Sequence, residues 1–329
     1  MKGDLAVRNP VDRLRAAVIG ASGIGKHHAK WYHLAGCEVV GFCGTSPERT
    51  AKTAEALNGI FDFSGRAYCD VEEMLRKEQP DLVSVCTPDR LHHDHVVAAL
   101  RAGCHVMCEK PLVWDAEGTP EQMLADAGDM VRVAEAEGRL LAVNTQYVAG
   151  AEHYRSAIGP GEAPIESFFM QMESRGARGP VDFEQIWVDL SPHPISVLMG
   201  FLPGGRLVED SIDGTVERKR VRAAFDYAHP QGTCRAEIVV RNVPEGPLTR
   251  RFGVNGVLVD YEGRNDENGV YCAYLVRGDT ETKAMDFVQA SLTRFVAAVE
   301  GTGAPLATGR DGLENLRMEL AILGRAHRV

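Results

Sequence analysis

Between Arg15 and about Val143 short apolar runs alternate with longer amphipathic stretches, and this alternation restricts the fold more than any other feature of the chain. The runs are 16–20 (AAVIG), 38–43 (EVVGFC), 81–86 (DLVSVC), 105–108 (HVMC) and 140–143 (LLAV). Helical stretches fall between them, near 24–35, 47–57, 71–78, 91–102 and 119–137. Several runs lack the polar alternation of a half-exposed strand, as strands buried on both faces of a parallel sheet do. Repeated strand–helix units of this kind predict an α/β domain over 15–143, a Rossmann-type doubly wound parallel sheet, preceded by an extension at 1–14.

From about Asn144 the pattern changes. Runs such as 166–174 (ESFFMQMES), 233–240 (TCRAEIVV) and 252–261 (FGVNGVLVDY) are longer and more alternating, with turns marked by Pro203-Gly204-Gly205 and Pro244-Glu245-Gly246. They predict a second, α+β domain over 144–329 with a large, mainly antiparallel open sheet. Two amphipathic helices, near 285–300 and 311–327, close the chain, and the last is expected to pack back on the first domain. At 329 residues the chain exceeds the size at which single cores stop growing, which agrees with two domains. A sheet covered by helices on one face commonly self-associates through the other, so a homo-oligomer, dimer or tetramer, is expected through this sheet.

The formal net charge of −10, without clustered Lys and Arg, argues against a nucleic-acid partner. Glu217-Arg218-Lys219-Arg220 reads as a solvated strand or turn. No run of eighteen apolar residues and no apolar leader-type segment occurs, so no membrane partner and a cytoplasmic location are expected. The cysteines at 37, 43, 69, 86, 104, 108, 234 and 272 are scattered without a C-x-x-C pair and read as buried free thiols. Cys104, His105 and Cys108 have the wrong spacing for a zinc knuckle, and no metal site is expected.

The first apolar run enters Gly20-Ala21-Ser22-Gly23-Ile24-Gly25, and a helical stretch follows. That is the setting a dinucleotide-binding G-x-G-x-x-G turn requires: Gly20 makes the tight turn, Gly25 lets helix and strand approach, and amides at the helix start face a pyrophosphate. Ser22 replaces the second glycine, with Gly23 beside it. At the end of the second run Gly44 stands where an acidic residue would accept the adenosine ribose hydroxyls. No carboxylate there repels a 2′-phosphate, while Thr45, Ser46 and Arg49 are suited to bind one, which leans the cofactor from NAD towards NADP. Ser46-Pro47 can at the same time cap the following helix.

Two further segments are sharper: Thr87-Pro88-Asp89-Arg90-Leu91-His92 and Gly103-Cys104-His105-Val106-Met107-Cys108-Glu109-Lys110-Pro111. With the glycine turn they resemble the Gfo/Idh/MocA family, which includes glucose–fructose oxidoreductase, inositol dehydrogenases and many sugar dehydrogenases; the resemblance extends over nearly the whole chain. It implies that Lys110 stands beside the nicotinamide ribose and the substrate hydroxyl, and that Thr87, Pro88, His92 and Glu109 belong with Ile24 to the cofactor site. Independently, a Glu-Lys pair ending a buried strand lies where open α/β sheets bind ligands. In the run His92-His93-Asp94-His95 only His92 matches a family position, so it is not read as a metal site.

The family's D-x-G-x-H-x-x-D motif is matched by Asp189-Leu190-Ser191-Pro192-His193-Pro194-Ile195-Ser196, with Ser191 and Ser196 departing from it. Ser191 suits an N-cap with Pro192 at the first helical position, which would place His193 in a first turn whose dipole disfavours the imidazolium. The resemblance implies oxidation of a sugar or polyol hydroxyl: His193 takes the proton, Lys110 steadies the alkoxide and Asp189 orients the base, although Lys110 and His193 can exchange parts. Asn144, Gln146, Tyr147 and Trp187 are the expected substrate contacts. Gln146 stands where many relatives carry arginine, so an anionic substrate is not implied. Two other readings share the scaffold, an NAD-dependent glycosidase that oxidises its substrate transiently and a non-catalytic sensor module, and the joint presence of Lys110, Asp189 and His193 argues against the second.

Overall fold

The computed structural model describes residues 13–158, 163–175 and 182–329. Its first sheet has the order β3-β2-β1-β4-β5-β6, all parallel, with β1 at Arg15–Ile19, β2 at Glu38–Cys43, β3 at Arg66–Tyr68, β4 at Leu82–Val85, β5 at His105–Cys108 and β6 at Leu141–Val143. This is the doubly wound Rossmann order, whose strand sequence reverses between β1 and β4. Arg66–Tyr68 was not among the expected strands: at three residues with alanine in the middle, it carries no apolar run to detect.

The crossover helices are α1 (Gly25–Leu34), α2 (Pro47–Asn58), α3 (Val71–Glu78), α4 (His92–Arg101) and α5 (Pro120–Ala136). Several start on side-chain caps. Ser46, Asp70 and Thr119 accept the amides of Arg49, Glu73 and Gln122, and Pro47 and Pro120 occupy a position that lacks an intrahelical partner anyway.

Beyond the first sheet follow α6 (Ala149–Ile158), β7 (Ser167–Ser174), α7 (Phe183–Leu190) and α8 (Pro192–Phe201). The second sheet then takes β8 (Arg206–Glu217), β9 (Arg220–His229), β10 (Gly232–Asn242), β11 (Arg250–Val254), β12 (Val257–Asn265), β13 (Tyr271–Arg277) and β14 (Thr280–Met285). With β7 and a short β15 (His327–Arg328) it has the order β14-β13-β12-β11-β7-β10-β9-β8-β15, antiparallel except where β10 meets β7 and β15 meets β8. The α/β architecture expected from the sequence is therefore present.

The run 252–261 is not one strand but a hairpin. Asn255 and Gly256 both take left-handed φ (50° and 76°), the conformation of a two-residue turn matched to strand twist, so β11 folds back on β12. Arg218 and Lys219 turn β8 into β9, as the solvated reading expected. Among the cysteines Cys69 is exposed and Cys86 partly so, which corrects the expectation that all are buried; each is a free thiol.

The two closing helices, α9 (Phe287–Val299) and α10 (Gly309–Arg325), position the two sheets against each other. Leu292 and Phe295 of α9 pack with Ala29 and Tyr32 of α1. On α10, Leu316 packs with the core of the first sheet, whereas Met318 and Ile322 pack with that of the second. Residues 307–308 pair with β6 through Val143 N to Ala307 O (3.0 Å). The ends of β4 and β5 are thereby brought against the junction of α7 and α8, where the chemistry-bearing residues meet.

Candidate active site

Gly20 has φ +90°, and a Cβ there would lie 2.6 Å from the Cys86 carbonyl oxygen. A Cβ on Gly25 would stand 2.5 Å from the Gly20 carbonyl oxygen, so both glycines are required where β1 turns into α1. Gly23 has open space around it and no positive φ, so neither its conformation nor its packing requires glycine. The turn borders a cavity of about 880 Å³ that runs from Gly20 and Ser22 past Gly44, Thr45 and Arg49 to Thr87 and Pro88. A strained glycine turn, a helix N-terminus and a long cleft over the strand ends together fit a dinucleotide.

At the far end of β2, a Cβ on Gly44 would meet Thr50 Cγ2 at 2.7 Å. Arg49 reaches back to Thr45, Nη1 donating to Oγ1 at 3.4 Å. Lys52, one turn further along the same helix face, and Lys26 also line the cavity; the sequence reading missed both, although the i, i+3 spacing of Lys52 from Arg49 was there to be read. Ser46 does not line the cavity. Its hydroxyl caps α2, accepting the Arg49 amide at 3.4 Å.

His92 also differs from expectation. Its ring is buried, with Nδ1 3.0 Å from the Pro111 carbonyl oxygen and Nε2 2.9 Å from that of Thr87. It braces two loops from beneath and has no surface for a cofactor. His95, not singled out beforehand, lines the cavity and lies 3.2 Å from Thr87 Oγ1. His93 faces Asp94 and Asp129, so the three histidines point to different partners.

A second, smaller cavity of about 340 Å³ opens between Ile24, Thr87, Asp89, Lys110, Asn144 and Gln146. The Lys110–Pro111 peptide is cis. The Lys110 ammonium donates to the Asp189 carbonyl oxygen at 2.7 Å and to Asp189 Oδ1 at 2.8 Å, joining the end of β5 to the end of α7. Burial pulls the Lys110 ammonium down, but Asp189, together with Glu109 and Asp89, outweighs it and leaves the pKa above its usual value. Asp189 is pushed up by burial and pulled further down by Lys110, and ends below the usual carboxylate range. The partner of Asp189 is thus Lys110; no hydrogen bond joins it to His193, the base it was expected to orient.

His193 lies almost wholly buried under this pair, with its ring edge-on to Tyr147 at 4.9 Å between centroids. Burial, reinforced by the charge of Lys110, pushes the imidazole down to about 3, so it is neutral at physiological pH. Ser191 does not cap α8. Its backbone is helical and continues from α7, and its hydroxyl donates to Glu319 Oε1 at 3.2 Å. The neutrality of His193 therefore comes chiefly from burial and not from a free helix end.

Trp187 is fully buried and donates through Nε1 to the Glu319 carbonyl oxygen at 3.0 Å, so it belongs to the core and contacts no substrate. The sequence offers no sign of this, because the helix is apolar on most faces. Beneath the small cavity lies a polar chain the sequence reading did not anticipate. Tyr32 OH meets Ser84 Oγ (2.6 Å), Ser84 Oγ meets His28 Nδ1 (2.8 Å), and His28 Nε2 meets Glu109 Oε1 (2.9 Å). Asn144 Nδ2 donates to the same Glu109 oxygen at 2.6 Å, while Asn144 Oδ1 has no partner. Burial pushes Glu109 up, but His28 and Asn144 more than offset this and hold it at about 2.

The comparisons agree with this geometry. Residues 14–145 match the family model described as the oxidoreductase family with NAD-binding Rossmann fold. A 1,5-anhydro-D-fructose reductase from Ensifer adhaerens is 29% identical over 95% of this chain and 96% of its own length. A D-glucoside 3-dehydrogenase from Escherichia coli (strain K12) is 38% identical over 39% of this chain and 34% of its own. A solved UDP-N-acetylglucosamine 3-dehydrogenase from Acidithiobacillus ferrooxidans shares the fold, with a TM-score of 0.73 at 20% identity over 96% of this chain and 98% of that one. No helix among the described residues is long and apolar enough to cross a membrane. Residues 14–145 thus carry the NAD-binding Rossmann fold of the Gfo/Idh/MocA oxidoreductases, and over nearly its whole length the chain is similar to enzymes named as sugar reductases and dehydrogenases.

Proposed function

We propose that this oxidoreductase interconverts a ketone and a secondary alcohol on a sugar or related polyol, with NADP(H) preferred over NAD(H), and that Lys110 is its proton donor. The observation that carries this reading is the Lys110 ammonium at the small cavity: two of its protons are engaged by Asp189, and the third is available to a substrate oxygen. The relatives' names, a reductase of a keto sugar and a dehydrogenase of a glucoside, support the substrate class.

A bound nicotinamide supplies or accepts the hydride at the reacting carbon. The chain's own residues do the rest. Ser22 and the amides at the start of α1 hold the pyrophosphate, and Arg49 with Thr45 receives the 2′-phosphate. Lys110 hydrogen-bonds the carbonyl oxygen, stabilises the negative charge that develops there and passes it a proton. Asp189 keeps Lys110 charged and aimed. His193, held neutral by burial, holds a proton too weakly to act as the base; it serves as a hydrogen-bonding wall that orients the substrate oxygen. Glu109, fixed by His28 and Asn144, adds a second negative charge beside the ammonium.

Titration of the protein with NADPH and NADH, followed by dihydronicotinamide fluorescence, tests the cofactor part. Tighter binding of NADPH, lost on Arg49→Ala while NADH binding is unchanged, is expected; preference for NADH would reverse the assignment, and binding of neither would remove the dehydrogenase reading. For the chemistry, Lys110→Met is expected to lower kcat by roughly 10²–10⁴-fold, the usual contribution of a positioned acid, with cofactor affinity kept.

A further inference from the structure

On the face of the second sheet that the helices leave open, arginines are matched with carboxylates. Arg222 pairs with Glu237, Arg235 with Asp226, Arg241 with Glu173 and Arg264 with Glu281. Arg251 holds Asp260 of the adjacent strand through two parallel bonds of 2.8 and 2.7 Å. Arg250, next in the chain, points to the opposite face because side chains alternate along a strand. It shares that face with the buried Phe252 and Val254.

Among the described residues no carboxylate, carbonyl or hydroxyl accepts any of the five guanidinium protons of Arg250, and its Nε is buried without a partner. The guanidinium carbon stands 5.8 Å from the ring centroid of Tyr147 and 5.8 Å from that of Tyr261. Tyr147 is also the ring that packs edge-on against His193, and His193 Nδ1 is likewise buried without a partner. Two unsatisfied polar groups, one of them on the proposed active-site histidine, thus contact one tyrosine ring. The buried Asp286 carboxylate acts on the same two rings but accepts no bond from Arg250, and a half-buried guanidinium without an acceptor is costly, the rings recovering only part of that cost.

We infer that Arg250 is the recognition group for an anionic substituent of the substrate, a carboxylate or a phosphate carried some way along the carbon chain from the reacting carbon. The fork of a guanidinium matches the paired oxygens of either group. The substrate class is then a sugar acid or sugar phosphate, not a neutral sugar. The cation comes from the second sheet, far in sequence from Gln146, which explains why the segment around Gln146 gave no sign of it. This inference rests on the reading that Lys110 and His193 flank the reacting carbon.

The test is calorimetric binding of D-glucuronate, D-glucose 6-phosphate and D-glucose to the protein saturated with NADPH, for the wild type, Arg250→Met and Arg250→Lys. NADPH binding is read first in the same cell and reports separately on the proposed cofactor. Saturation also closes the phosphate-binding end of the cleft to the sugar phosphate. The expected result is at least tenfold tighter binding of one anionic sugar than of glucose, lost in Arg250→Met and partly kept in Arg250→Lys, with the better anion naming carboxylate or phosphate. Equal or tighter binding of glucose, no binding of either anion, or an anion preference unchanged in Arg250→Met would each overturn the inference. The thermal midpoint of each variant shows that loss of binding is not loss of fold.

Discussion

His193 and His105 couple single side chains to the stability of the whole chain. His105 accepts the Leu140 amide at Nδ1, and burial together with Arg139 pushes it down to about 4, while His193 is held at about 3. Both values lie below the ordinary 6.5, so between about pH 6.5 and 4 the unfolded chain binds more protons than the folded one. Stability is fully present above 6.5 and falls as pH drops, by up to about 1.4 kcal/mol per pH unit for each group. Urea midpoints at pH 7, 5.5 and 4.5 measure this, and His105→Gln is expected to flatten the profile; an unchanged slope would mean the ring is not buried neutral. At the reaction itself, Asp189→Asn removes the carboxylate that raises Lys110, so the basic limb of the pH–rate profile for ketone reduction moves to lower pH. A limb that stayed in place would show that Lys110 does not set it.

At the scale of elements, the turn between β1 and α1 separates glycines that geometry demands from one it does not. Gly20→Ala forces a side chain into a left-handed position and against the Cys86 carbonyl, and Gly25→Ala drives one into the Gly20 carbonyl. Each is expected to lower the thermal midpoint and to abolish dinucleotide binding, because the amides that would hold the pyrophosphate shift with the backbone. Gly23→Ala, with open space around it, is expected to change neither. Differential scanning fluorimetry with and without NADPH reads all three, and a strong effect at Gly23 would count against this account of the turn. The α7–α8 junction was harder to read from the chain. Ser191-Pro192 is an N-cap pattern, yet the segment continues as a helix because Ser191 is drawn to the buried Glu319 carboxyl on α10. A side-chain acceptor over a hundred residues away outcompeted a local cap.

The whole molecule depends on α10, which buries Leu316 in one core and Met318 and Ile322 in the other. Leu316→Ala and Met318→Ala, each at a fully buried position, should cost about 2–5 kcal/mol. Because one helix serves both cores, each is expected to lower a single unfolding transition. Two separable transitions in calorimetry, only one of them moved by Leu316→Ala, would show that the sheets unfold independently. The open face of the second sheet is laced with Arg–carboxylate pairs. An oligomer formed through it, which we propose, would be polar and sensitive to salt, and sedimentation at low and high ionic strength reads that directly.

The alternation of apolar runs and amphipathic stretches determined the Rossmann domain by itself, because buried parallel strands and their crossover helices leave local, periodic traces. The glycine turn and the strand-end Lys110 were legible for a related reason, since tight turns and strand-end charges demand particular residue types at short spacings; Asp189 and His193 were singled out by the resemblance to the family motif. Tertiary structure alone decided what long-range contacts control. It paired Asp189 with Lys110 instead of His193, buried Trp187 against Glu319 and drew His92 under two loops. It also linked His28 to Glu109 and set the Arg250 guanidinium against Tyr147. Which partner a polar side chain finds depends on which other side chains burial brings within about 3 Å, and spacing along a chain does not encode that when the partners lie on different elements.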